Sequence, residues 1–218
     1  MPVDNKTLNI TNGDYFNQYI IEKFGGAAIP FCECIMDGEV TLDILSDEFI
    51  NLRTKALNVS KEEYLSKMQV PGALSSNKYS RLCLWFGKDT FCQMNLLMLL
   101  SYLEQIEYNH AITLCYIDDA TFDIIESSID VTLGIYKQIY SDILISRQIP
   151  NNLGVLNKKA IDLYFDYISD NGALVSLVKT NENKSNTELI TLLLNASEEY
   201  GLSDLQAERI IKNTLPHR

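Results

Sequence analysis

Apolar and polar positions set out a chain of alternating strands and helices from the first residues onward. Thr7 to Thr11 places threonine and asparagine in alternation with Leu8 and Ile10, the period-two pattern of a strand, and Asn12-Gly13-Asp14 then offers a tight turn. Phe16, Tyr19, Ile20 and Phe24 follow at helical spacing. Gly25-Gly26 stops that helix, and Ala27 to Cys34 is an apolar run of strand length before Asp37-Gly38 turns the chain. Strand, helix and strand in this order read as a βαβ unit.

The next signals are helical. Ser46 to Leu57 carries Phe49, Ile50, Leu52, Arg53 and Ala56 in a helical pattern, and Ser60 with Glu63 makes a capping box for a short helix ending near Met68. Pro71 to Ser80 reads as a polar loop. Arg81 to Phe86 is a short apolar run containing Trp85, after which Gly87-Lys88-Asp89 leads into an amphipathic helix with Phe91, Met94, Leu97, Met98 and Tyr102. His110 to Ile117 repeats the strand pattern and ends in Asp118-Asp119.

Near-continuous apolar strands alternating with helices point to a sheet covered on both faces. The expected fold is therefore α/β: a small, mainly parallel, Rossmann-like three-layer sheet of at least four strands. Residues 1–120 make the sheet core, and 121–218 a mainly helical portion packed on it within one structural domain. Candidate helices there are Tyr136 to Ser146, Asn157 to Asn171, Thr187 to Tyr200 and Asp204 to Asn213. Ala173 to Thr180 fits helix or strand, and the polar stretch Lys179 to Asn186 reads as a mobile linker ahead of a helical hairpin.

Charge narrows the partners. Eighteen basic against 29 acidic residues give a formal charge of −11, which repels phosphate backbones and anionic membranes at long range. Neither nucleic-acid nor membrane binding is expected. The densest apolar run, Leu96 to Leu100, is far shorter than the roughly 20 residues of a membrane span, and the N-terminus has no secretory pattern. With five cysteines, odd in number and mostly inside apolar runs, the chain reads as a cytoplasmic protein without a disulfide framework. Only His110 and His217 are available as imidazoles, too few for a zinc set with Cys32 and Cys34 or for a catalytic triad.

In an open parallel sheet, ligands bind beyond the carboxyl ends of the strands. Those ends carry Asn12, Gly13 and Asp14; Glu33; Gly87, Lys88 and Asp89; and Asp118 and Asp119. Neither the Rossmann nor the Walker glycine pattern is present. Asp14 and Asp89 both precede helices, where capping competes with ligand binding, and Gln93 lies one turn beyond Asp89. Converging carboxylates, Asp14 and Asp89 first, would hold Mg²⁺ or Mn²⁺ and through it a phosphorylated ligand. Arg53 is either a bidentate donor to such a ligand or a structural ion-pair partner. At the C-terminus, two helices joined through Tyr200 to Ser203, with Ser203 and Gln206 as a capping box, resemble a helix-turn-helix connection; Arg209 and Lys212 on the second helix would face a nucleic-acid backbone, but acidic neighbours make this the lesser alternative to a packing hairpin.

Four blocks in order, Leu8 to Asp14, Glu33 to Gly38, Leu84 to Asp89 with Phe91 and Gln93, and Gly201 to Ser203 with Glu208, resemble the bacterial domain-of-unknown-function family eighteen thirty-five. The resemblance spans most of the chain. It implies a compact bacterial α/β domain with Asp14, Glu33, Gly38, Arg53, Asp89 and Gln93 as candidate site positions, and no settled activity. Family members carry a histidine near the position of Asn9 and an acidic residue near Gly87, and this chain has neither. Two functions follow from the whole reading: binding of a nucleotide or other phosphorylated small molecule at the strand ends through Asn12, Gly13, Asp14, Glu33, Gly38, Arg53, Asp89 and Gln93, or a non-catalytic regulatory module that takes a protein partner or a second copy of itself.

Overall fold

A computed structural model describes residues 6–75, 78–118 and 120–216 of the chain. Its centre is a five-stranded sheet of β1 (Thr7–Asn12), β2 (Ala27–Phe31), β3 (Arg81–Phe86), β4 (Ala111–Ile117) and β5 (Ile124–Asp130), in the order β2-β1-β3-β4-β5. The first four run parallel, and β5 is antiparallel to β4. The α/β class and the mainly parallel sheet expected from the sequence are present.

Ten α-helices accompany the strands among the described residues: α1 (Asp14–Phe24), α2 (Asp47–Leu57), α3 (Lys61–Lys67), α4 (Val70–Leu74), α5 (Thr90–Gln105), α6 (Tyr136–Tyr140), α7 (Lys158–Tyr167), α8 (Ala173–Thr180), α9 (Asn186–Ala196) and α10 (Asp204–Thr214). Short polar side chains start several of them. Ser46, Ser60, Asp89, Asn157, Ser185 and Ser203 each accept a main-chain N–H from the first turn of the helix they precede.

Side-chain alternation along the strands separates two faces. Leu8, Ile10, Leu82, Leu84, Phe86, Ile112, Leu114 and Tyr116 enter the main core with the central helix α5, whose Leu96, Leu97, Leu99, Leu100 and Leu103 are fully enclosed. The opposite face carries a smaller cluster. Cys83, Trp85, Cys115 and Ile117 meet Phe16 and Ile20 of α1 there. Leu174, Val178, Leu189, Leu193, Ala207, Ile210 and Ile211 form a separate apolar cluster from α8, α9 and α10, and Tyr167 and Leu202 touch both that cluster and the main core.

The structure corrects the sequence reading at four places. β2 stops at Phe31 rather than Cys34, since the next residues are drawn toward Arg53, and it tolerates Pro30 because it is an edge strand. α4 occupies the start of the expected loop Pro71 to Ser80. β5 lies past residue 120, in the portion expected to be mainly helical and at positions where no strand was expected; six of its seven residues are exposed, so no apolar alternation marks it. The polar stretch Lys179 to Asn186 closes α8 and opens α9 through a capping box of Ser185 and Glu188. Asp119 and His217 lie outside the described residues.

Candidate functional site

The chain leaves β1 toward β2 and returns to β3 on the other side, so the β1/β3 boundary is the point where ligands bind in open α/β sheets. Here that boundary is filled by the protein itself. Asn12 accepts from Asn95 Nδ2 at 2.9 Å and donates to Cys92 Sγ at 2.9 Å, while Asn95 also donates to the Glu33 carbonyl at 2.6 Å. Gly13 adopts φ 89° and gives its N–H to the Phe31 carbonyl at 3.1 Å, joining the ends of β1 and β2. Asp14 is exposed and pairs with Lys67 at 3.0 Å. Burial, reinforced by Asp14, pushes the neighbouring Cys32 thiol up to about 11.

Glu33, Gly38 and Arg53 belong to a second, enclosed network. Arg53 donates from Nη2 at 2.9 Å and from Nε at 3.3 Å to Glu33 Oε1, and neither side chain has any exposure. Its remaining donors take the carbonyls of Cys34, at 2.8 Å, and Asp37. Burial opposes the Arg53 charge, but the Glu33 carboxylate outweighs it, so the guanidinium is held more firmly protonated than usual. Tyr64 donates to the other Glu33 oxygen, and burial plus that carboxylate drive the phenol far above its ordinary range. Gly38, at φ 80°, lies so close to α2 that an added Cβ would overlap Ala56. These residues lock the 33–38 loop onto α2.

The same loop receives the C-terminal helices. Asp37 accepts from Tyr167 at 2.5 Å and pairs with Arg209 at 3.0 Å, and Gln206 donates to Cys34 Sγ at 3.5 Å. Arg209, one of two cations considered for a nucleic-acid backbone, is thus engaged within the fold.

A cleft of about 350 Å³ opens instead beyond the carboxyl ends of β3 and β4. Lys88 and Asp89 come from the end of β3, Asp118 from the end of β4, Asn157 and Lys159 from the start of α7, and Glu198 and Glu199 from the 3₁₀ turn before α10. Asp89 Oδ1 accepts the Cys92 N–H at 2.9 Å, which caps α5; Oδ2 is buried and has no hydrogen-bond partner. Buried carboxylate oxygens are normally satisfied, so this one retains the capacity to accept a hydrogen bond, from water or another donor.

The walls of the cleft are fixed by buried hydrogen bonds. Fully enclosed Gln93 accepts from Asn157 N at 2.8 Å and donates to the Gly87 carbonyl at 2.6 Å, and Asn157 Nδ2 donates to the Lys88 carbonyl at 2.8 Å. Thr90 donates to the carbonyls of Ala160 and Glu199 at 3.1 and 3.2 Å. The lysines pair with Glu126 and Glu199 at the surface, where such pairs are weak, and Lys88 also lies over the Tyr116 ring, 4.7 Å from its centroid. Main-chain and hydroxyl donors of Thr121 hold Asp118 below the usual carboxylate range.

Of the eight candidate residues, Asp89 lines this cleft and Gln93 braces it; Asn12, Gly13, Asp14, Glu33, Gly38 and Arg53 do not line it. Asp118 is present, but Asp14 and Glu33 do not join it. Among the described residues no group of three or more His, Cys, Asp or Glu is placed to hold a metal ion. Lys159, Glu198 and Glu199 had no signal in the sequence, since only the packing of α7 and the 3₁₀ turn brings them to β3. Comparisons with protein families, curated proteins and solved structures found no match, so the chemistry of the cleft rests on its own residues.

Proposed function

We propose that the protein binds a small phosphorylated metabolite, such as a nucleotide, as its Mg²⁺ complex in the cleft beyond β3 and β4. The observation that carries this reading is the buried, unpartnered Oδ2 of Asp89. Two lysines face four carboxylates in the cleft, so a bare phosphate would meet net negative charge. A divalent cation cancels that excess: Asp89 offers it one oxygen, water and phosphate supply the rest, and Lys88 and Lys159 turn from their surface pairs to phosphoryl oxygens.

Binding without turnover is part of the proposal. His110 stands exposed next to the start of β4, at the far end of the strands, and no imidazole is among the described residues that line the cleft. The four-block family resemblance adds no activity to this reading.

A thermal-shift panel of nucleotides and sugar phosphates, each with and without Mg²⁺, tests it. A ligand at a hundred times its Kd stabilises the folded state by about 2.7 kcal/mol. Stabilisation that needs Mg²⁺ and weakens in Lys159→Ala supports the proposal, while stabilisation indifferent to both rejects it.

A second reading, docking of a protein partner, is favoured by one observation. β5 is an edge strand with Ile124 and Ile125 about half exposed, an arrangement open to strand addition.

A further inference from the structure

A second concavity, of about 570 Å³, lies on the α1 face of the sheet, away from the cleft. Thr113, Cys83, Cys115 and Trp85 form its floor, and Ser127 and Ser128 of β5 its rim. Cys83 pairs in register with Thr113 and Cys115 with Trp85, so the two thiols sit diagonally on neighbouring parallel strands. Their sulfurs are 3.8 Å apart. Cys83 retains 7% exposure at the groove and Cys115 is enclosed behind it.

The opposing strand is built around these sulfurs. Between the pairs Leu114–Ile129 and Tyr116–Glu126 the β4–β5 ladder slips, so two residues, Ser127 and Ser128, face Cys115 alone. Ser128 takes φ 63°, a left-handed conformation that is costly for serine, and its main chain hydrogen-bonds the Cys115 sulfur. The Cys83 S–H first, then this main-chain donor, holds the Cys115 thiol down to about 7 against the opposing effect of burial. The second proton of the pair is held correspondingly harder on Cys83.

We propose that Cys83 and Cys115 are a reversible oxidation site for small hydroperoxides entering this groove. One sulfur of the pair, as thiolate, attacks the O–O bond and takes one oxygen; the other leaves as hydroxide or alkoxide and is protonated. The remaining thiol then attacks the sulfenic sulfur, a disulfide forms and water departs. The two sulfurs together lose two electrons and two protons, and the peroxide is reduced to alcohol, or to water, plus one water. Bond formation closes the sulfur separation from 3.8 Å to about 2.05 Å. An added thiol reverses the step by attacking the disulfide.

This site is separate from the metabolite cleft, and either can fail without the other. The test treats the full chain with stoichiometric hydrogen peroxide, alkylates it in denaturant and maps the peptides. The expected result is a fall from five free thiols to three with a single Cys83–Cys115 link, reversed by dithiothreitol and lost in Cys83→Ser. Trp85, the sole tryptophan and the register partner of Cys115, should report the same step as a reversible fluorescence change. A link through Cys32, Cys34 or Cys92, oxygen added without a cross-link, or no loss of thiols would overturn the proposal. The wild-type peptide map decides even where the variant fails to fold.

Discussion

Arg53 Nη2 lies 2.9 Å from Glu33 Oε1, and both side chains are entirely shut off from solvent. A charge pair so placed survives burial only because each guanidinium nitrogen finds an oxygen, and removing one partner strands the other. Replacing Arg53 by Met leaves Glu33 with the Tyr64 hydroxyl and the Cys34 N–H as its remaining donors, neither of them charged, and frees the 33–38 loop from α2. The expected cost is about 3–5 kcal/mol, read as a lower denaturant midpoint with an unchanged slope. A loss below about 1 kcal/mol would show that the pair is not structural.

Gly201 presses against the acid that defines the cleft. Its φ of 68° is left-handed, and an added Cβ would overlap Asp89 Oδ1. Gly201→Ala should therefore destabilise by more than about 1 kcal/mol and also displace Asp89. Thermal unfolding and Mg²⁺-dependent ligand binding should both weaken in this variant, whereas a change in stability alone would mean that the carboxylate has not moved.

The Ser185–Glu188 capping box predicts a pH effect. Hydrogen bonds from the Ser185 hydroxyl and main chain hold Glu188 below its usual value. A carboxylate depressed in the folded state stabilises fully above its unfolded-state value and loses that effect as pH falls through the folded one. Wild type and Glu188→Gln should thus differ in thermal midpoint at neutral pH and converge in acid; a constant gap would contradict the assignment.

Much of the fold was written in local signals and much of the site was not. Asp89 and Asn157 could be read as helix starts because capping chemistry is local, and the apolar faces of β3 and β4 announced buried strands. β5 escaped because an exposed edge strand, Ile124 to Asp130, needs no apolar alternation. The sequence grouped Asp14, Glu33, Arg53 and Asp89 on the common logic of strand ends, but hydrogen bonding divided them: Arg53 claimed Glu33, and Lys67 claimed Asp14. Lys159 stands 70 positions beyond Asp89, and its approach depends on how α7 packs on α5, which no local pattern encodes.

The most direct test of the account is a calorimetric titration of the strongest Mg²⁺-nucleotide binder from the thermal-shift panel into wild type, Asp89→Asn and Asp14→Asn. Asparagine at position 89 keeps an oxygen to cap α5 while removing the charge. The account predicts at least a tenfold loss of affinity for Asp89→Asn and none for Asp14→Asn. Full affinity in Asp89→Asn, or a loss confined to Asp14→Asn, would contradict it.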